Sequence, residues 1–139
     1  MPVVTGVSRA WRASVLAALA ASTHKAAFYT PAASLDKGAA SLVYTATGEC
    51  SGTGYTAGGF VVVPTVDNSQ DPPFLDIPDL SVSTLTIADF AYIALYDTLA
   101  GNRIWSVFSV GGTRQIVNRN IQIVFPTPSA NQALLRIYG

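Results

Sequence analysis

The chain has 139 residues, half of them apolar and 12% charged, and its eight cations balance its eight acids. That length suits one domain that buries roughly two-thirds of its unfolded surface, and that composition excludes a disordered chain. The balance excludes the basic stripe that nucleic-acid binding needs, and no apolar run reaches the ~18 residues of a membrane span.

In chain order, Ser8 to Ala21 is the one stretch with helical spacing. Trp11, Val15, Leu16 and Leu19 recur three and four residues apart, alanines fill the gaps, and Pro2 and Gly6 break the chain before it. Val15 to Ala21 behind Arg9 and Arg12 imitates a secretory leader, but it is short and helically patterned, so we read it as a helix. Strand-like runs follow at Lys25 to Thr30, Ser41 to Thr47, Phe60 to Val66, Phe74 to Leu80 and Thr84 to Ile87. Further runs are Ala91 to Tyr96, Arg103 to Val110, Asn120 to Phe125 and Ala133 to Tyr138. Turn signals separate most of them: Asp71-Pro72-Pro73, Ala100-Gly101-Asn102, Gly111-Gly112 and Pro126-Thr127-Pro128. The reading is all-β: a single jelly roll or β-sandwich of about eight or nine strands with one short N-terminal helix. One domain covers 1–139, with the helix at about 8–21 and the β body at about 24–139.

Charge is unevenly distributed. Residues 1–37 hold Arg9, Arg12, Lys25 and Lys37 against Asp36 alone. Residues 38–102 hold Glu49, Asp67, Asp71, Asp76, Asp79, Asp89 and Asp97 with no cation, and 103–139 hold Arg103, Arg114, Arg119 and Arg136 with no acid. Either the basic ends pack beside the acidic middle, or the subunit is dipolar and meets opposite charge on its neighbours.

The stretch SLVYTATGECSGTGYTAGGFVVV, Ser41 to Val63, invites a nucleotide reading and fails it on context. A phosphate-binding P-loop needs a lysine after its last glycine and then a helix, whereas Gly58-Gly59 runs into Phe60 and a strand. A Rossmann fingerprint fails because Gly52, Gly54 and Gly58 are spaced one residue too widely and also lead into a strand. Glycines between β runs instead supply turns and bulges.

Other constellations are weak. His24 is the only histidine and Cys50 the only cysteine, so the chain offers no internal disulfide and no multi-histidine metal site. A Cys50–His24 nucleophile pair is conceivable, against the ordinary reading of Cys50 as a small buried hydrophobe. Asp67, Asp71, Asp76 and Asp79 cluster without the spacing of a calcium loop, and a solvated rim explains them. Tyr29, Tyr44, Tyr55, Tyr92, Tyr96 and Tyr138 form either a sugar-stacking platform or the usual aromatic content of strands. We expect no catalytic residue, cofactor, metal or small-molecule substrate.

A resemblance gives the glycine stretch another meaning. Lys25-Ala26-Ala27-Phe28-Tyr29-Thr30, Tyr44-Thr45, Gly48-Glu49 and Ser51-Gly52-Thr53-Gly54-Tyr55-Thr56-Ala57-Gly58-Gly59 resemble small structural proteins of tailed bacteriophages. The closing Ile121-Gln122-Ile123-Val124-Phe125-Pro126 and Ala133-Leu134-Leu135-Arg136-Ile137 resemble the end of that family. Cys50 stands where valine is commoner in it. Within that family the similarity points to capsid cement (decoration) proteins.

The resemblance implies a jelly-roll subunit, made in the host cytoplasm, that pairs with itself and sits on the capsid exterior. Its partner there would be an HK97-like major capsid protein, and the virion its location, with no nucleic acid or membrane partner. Trp11, Arg9 and Arg12 on the lead helix, and Arg114 and Arg119 on the basic C-terminal strands, are the expected partner contacts. The acidic loops from Asp67 to Asp79 would face outward, and Trp11 is equally compatible with the core. A phage tail, host-recognition or carbohydrate-binding β-sandwich is the alternative, and a small hydrolase using Cys50 or His24 a third.

Overall fold

The computed structural model describes residues 5–36, 38–69, 73–125 and 135–136. Among them stand α1 (Arg9–Ala20), β1 (His24–Tyr29), β2 (Gly52–Thr53), β3 (Phe60–Val62) and β4 (Thr65–Asp67). β5 (Phe74–Asp76), β6 (Leu80–Asp97), β7 (Arg103–Ile123) and β8 (Leu135–Arg136) follow. About half of the described chain is strand, every strand pairing is antiparallel, and neither sheet closes on itself. The expected all-β body with one short helix is therefore the observed one. The chain gathers into two compact units of interleaved segments. One is Met1–Ser22, Val63–Asp79 and Val124–Gly139; the other is Thr23–Val62 and Leu80–Ile123.

In the first unit, α1 starts where Ser8, in extended conformation, accepts a hydrogen bond on Oγ from the Trp11 amide at 3.1 Å. That satisfies one of the amides a helix start leaves open. Ala13 and Leu16 turn inward, and the helix packs on β4 and β5. The sheet order is β4-β5-β8, and Phe74 and Leu75 at its centre are fully buried, with Ile77 and Phe125 alongside. Asp79 Oδ1 accepts from the Phe125 amide at 3.2 Å, tying the chain where it leaves β7 to the residue before β6.

The second unit is built on the β6–β7 hairpin. β6 pairs with β7 along one edge; on the other it pairs with β1 from Tyr92 to Asp97 and with β2 at Thr86 and Ile87. β3 then adds outside β1. β1 is buried almost throughout because both its faces are covered. On one face Ala27, Tyr29, Ala94, Tyr96 and Ile104 cluster, with Leu42, Tyr44 and Val107 packed against them. On the other, Phe28 stacks on Phe90 at 4.5 Å and meets Tyr55 and Phe60 at 5.5 and 5.2 Å. Such aromatic pairs add to the area they remove from water.

The glycine stretch is a wrap against this sheet. A Cβ on Gly52 would sit 1.9 Å from the Thr86 carbonyl oxygen, and one on Gly59, at φ +86°, 1.9 Å from that of Ala26. Backbone lies directly on backbone at both places, so no side chain fits.

Several boundaries differ from the sequence reading, each for a physical reason. Ser41 to Thr47 is no strand: it makes one bridge, Val43 to Arg103, and is otherwise irregular. Phe60 to Val66 is two strands, β3 and β4, because Pro64 lacks the amide a ladder needs. Thr84 to Ile87 and Ala91 to Tyr96 are parts of one 18-residue strand, β6, that begins at Leu80. Gly111-Gly112 is a bulge inside β7 rather than a turn. Between the pairs Phe90–Arg114 and Tyr92–Ser109, β7 has four residues where β6 has one. Within Ala133 to Tyr138 the backbone of β8 is described at Leu135–Arg136; Pro126-Thr127-Pro128 and the rest of that run lie outside the described residues.

Candidate functional site

The side chains that offered chemistry in the sequence are committed to the fold. Tyr29 Oη donates to the Thr45 carbonyl at 2.8 Å, and Tyr96 Oη to that of Gly58 at 2.6 Å. Tyr55 Oη accepts from the Phe28 amide at 2.9 Å, and Tyr44 Oη donates to Glu49 at 3.2 Å. Glu49 also accepts from the Gly58 amide, through Oε1 at 3.1 Å and Oε2 at 3.2 Å. One carboxylate thus pins the wrap. Burial, with Glu49 nearby, pushes the Tyr29 and Tyr44 hydroxyls up to about 12 and raises those of Tyr55 and Tyr96 as well. Four of the six tyrosines therefore hold loops on the sheet. Tyr138 lies outside the described residues.

Cys50 is buried, and desolvation pushes its thiol up to about 11, so it is protonated at neutral pH. His24 is fully buried, and its Nδ1 accepts from Trp105 Nε1 at 3.1 Å. These environments deprive the Cys50–His24 pair of the thiolate its chemistry requires. Asp67 accepts from the Ser69 amide and hydroxyl in a local turn, which lowers its carboxyl pKa, and Asp79 holds the Phe125 amide. Asp71 lies outside the described residues. Among the described residues no three His, Cys, Asp or Glu side chains gather, and no helix is long and apolar enough to cross a membrane.

Of the expected contact residues, Trp11 is 59% exposed and Arg9 is exposed beside it. Val15, four residues on, is also exposed, so one face of α1 presents Trp11 and Val15 one turn apart, and Val7, just before the Ser8 cap, is exposed as well. The sequence reading had grouped Trp11 and Val15 with Leu16. The structure separates them, since the inward stripe is Arg12, Ala13 and Leu16. Arg12, unlike Arg9, is buried, and its Nε donates to the carbonyls of Val7 and Ser8 at 3.1 and 3.4 Å. These bonds brace the helix start. Arg114 and Arg119 are exposed on β7, in the second unit; Arg114 Nε donates to the Val110 carbonyl at 3.2 Å, across the bulge.

A feature the sequence reading missed is a cleft of about 620 Å³ in the second unit, between residues 39–43 and 103–107. Leu42, Ile104, Val107 and the half-buried Trp105 give it an apolar lining, and among the described residues its one charged residue is Arg103. Nothing in the linear pattern joins residues 39–43 to Trp105, so no spacing signal could have revealed it.

Comparison with family models, curated proteins and solved structures gives no match for this chain.

Proposed function

We propose that this chain is a non-enzymatic virion protein that binds the outside of a phage capsid. There it would cement neighbouring major capsid protein subunits against the pressure of packaged DNA, as a self-pairing subunit of jelly-roll type. The observation that carries this reading is the exposed apolar set of Trp11 and Val15 on α1 with Val7 just before the helix. A tryptophan 59% exposed between two exposed valines leaves apolar surface in water that a partner would cover. Tryptophan is also among the residues that most often dominate protein interfaces. The family resemblance of the glycine stretch and the commitment of the tyrosines to the fold support the same reading.

A lattice partner suits such a patch. Each contact needs only the ordinary ~800 Å² per partner, and many contacts on one rigid shell act together. The test is Trp11→Glu, compared with the unchanged chain for binding to undecorated heads. Because Trp11 packs outward, the variant should keep its fold and melting temperature while losing at least ~10-fold in head affinity. Unchanged binding by the folded variant would refute the role of this face.

A host-recognition or carbohydrate-binding module is the second reading, favoured by the cleft beside Trp105. It expects glycan binding by the isolated chain. Against it, the Trp105 indole N–H is already given to His24 and four tyrosine hydroxyls are engaged internally.

A further inference from the structure

We propose that the cleft between residues 39–43 and 103–107 binds an extended, carboxylate-bearing peptide segment of a partner protein. The position of the cleft in the sheet is the first argument. Leu42, Val43 and Tyr44 run along the outer edge of β7. The Val43–Arg103 bridge, Tyr44 N to the Asn102 carbonyl at 2.9 Å and Ile104 N to the Leu42 carbonyl at 2.9 Å hold them there. Beyond Ile104 the two segments part, and the cleft opens where this short ladder ends. Among the described residues, none pairs with that edge of β7 at Trp105, Ser106 or Val107. An extended peptide lying in the cleft would continue the ladder with main-chain hydrogen bonds, a common mode of peptide capture.

Charge is the second argument. Among the described residues Arg103 is the only charged one lining the cleft, and it is exposed. Its register partner Asp97 is buried and turns Oδ1 to the Leu99 amide at 2.9 Å, and among the described residues no carboxylate takes the Arg103 guanidinium. β7 carries Arg103, Arg114 and Arg119 and no acid, so a second copy offering the same edge brings no carboxylate to Arg103. The favoured occupant is therefore a different, acidic strand.

The walls are the third argument. Leu42, Ile104, Trp105 and Val107 offer an apolar lining for alternate side chains, and the bond from Trp105 Nε1 to His24 Nδ1 holds the indole in one orientation. The inference holds whichever assembly the chain serves.

The experiment follows backbone amide chemical shifts of the intact free chain during titration with a pool of acetylated pentapeptides. The pool is Asp-X-Thr-X-Asp, with X drawn from Val, Ile, Leu and Tyr, and its control replaces each Asp by Asn. Saturable shifts at Leu42 to Tyr44 and Arg103 to Val107 are expected, with the Asn pool at least ~10-fold weaker because charge-assisted hydrogen bonds are lost. Arg103→Gln, an exposed change that should leave the far-ultraviolet circular dichroism intact, is expected to bring the acidic pool down to the level of the Asn pool. Absence of saturable shifts, shifts elsewhere, or equal binding of the two pools would overturn the proposal. So would uptake of a uronic-acid oligosaccharide at these amides in place of the peptide. No phage heads enter the measurement, so its outcome is separate from that of the cement reading.

Discussion

Gly59 shows how tightly single residues are constrained in the wrap. At φ +86°, with the Ala26 carbonyl oxygen 1.9 Å from where a Cβ would be, Gly59→Ala combines backbone strain with a backbone clash no rotamer can relieve. We expect a loss of at least ~3 kcal/mol in urea unfolding. Gly101→Ala, which meets nothing within 4 Å, should lose only about 1 kcal/mol. Titration belongs at the same scale. The raised hydroxyls of Tyr29 and Tyr44 and the raised thiol of Cys50 keep their protons longer in the folded chain than in the unfolded one. Their contribution is complete below the unfolded values, about 9 for the thiol and 10 for the phenols, and is lost as pH rises through about 11 and 12. The urea midpoint should therefore hold steady from about pH 7 to 8.5 and fall steadily above that. A midpoint unchanged to about pH 12 would contradict the burial of these groups.

Among the elements, the β6–β7 hairpin is the least conventional, and its irregularities are specified locally. Register shifts occur between Val82 and Leu85, between Ile87 and Phe90, and between the partners Ile116 and Arg119. Each contains one residue in the left-handed region: Thr84, Asp89 and Asn118. The polar groups around these bulges are bonded across the hairpin. Thr84 N donates to Asn120 Oδ1 at 2.9 Å, Asn118 N to Thr86 Oγ1 at 2.8 Å, and Gln115 Nε2 to Asp89 Oδ1 at 2.7 Å. Asn118→Val, β-branched at φ +49°, should cost about 1–2 kcal/mol, while Asn118→Gly should be close to neutral. Thermal unfolding of the two variants checks the order, and equal melting temperatures would contradict it.

This hairpin also shows what the linear pattern could and could not reveal. The lead helix was legible almost to the residue, because Ser8 and an alanine-rich periodic run act locally. The strand character of β6 and β7 was legible from the alternation of Ala91 to Tyr96, Arg103 to Val110 and Asn120 to Phe125. Gly111-Gly112 was misread because a bulge and a hairpin turn both call for positive φ, and only the partner strand distinguishes them. Ser41 to Thr47 has strand composition but serves as an irregular cover, an outcome set by tertiary packing against Tyr29 and Tyr96. The outward set of Trp11 was left open in the sequence because alanines on the remaining faces let α1 bury either side. The cleft at Trp105 depends on a meeting of distant segments and had no local signature.

At the scale of the whole molecule, an all-β chain spends four tyrosine hydroxyls and the Glu49 carboxylate on its own loops and leaves Trp11 and Val15 of α1 uncovered. The proposed capsid role is tested by sedimentation of the purified chain with undecorated phage heads. Saturable binding at a fixed ratio to shell subunits, with the decorated heads then surviving heat or osmotic shock, is the expected result. Binding at only a single vertex, or none, would contradict the account and move the chain to the tail or to host recognition.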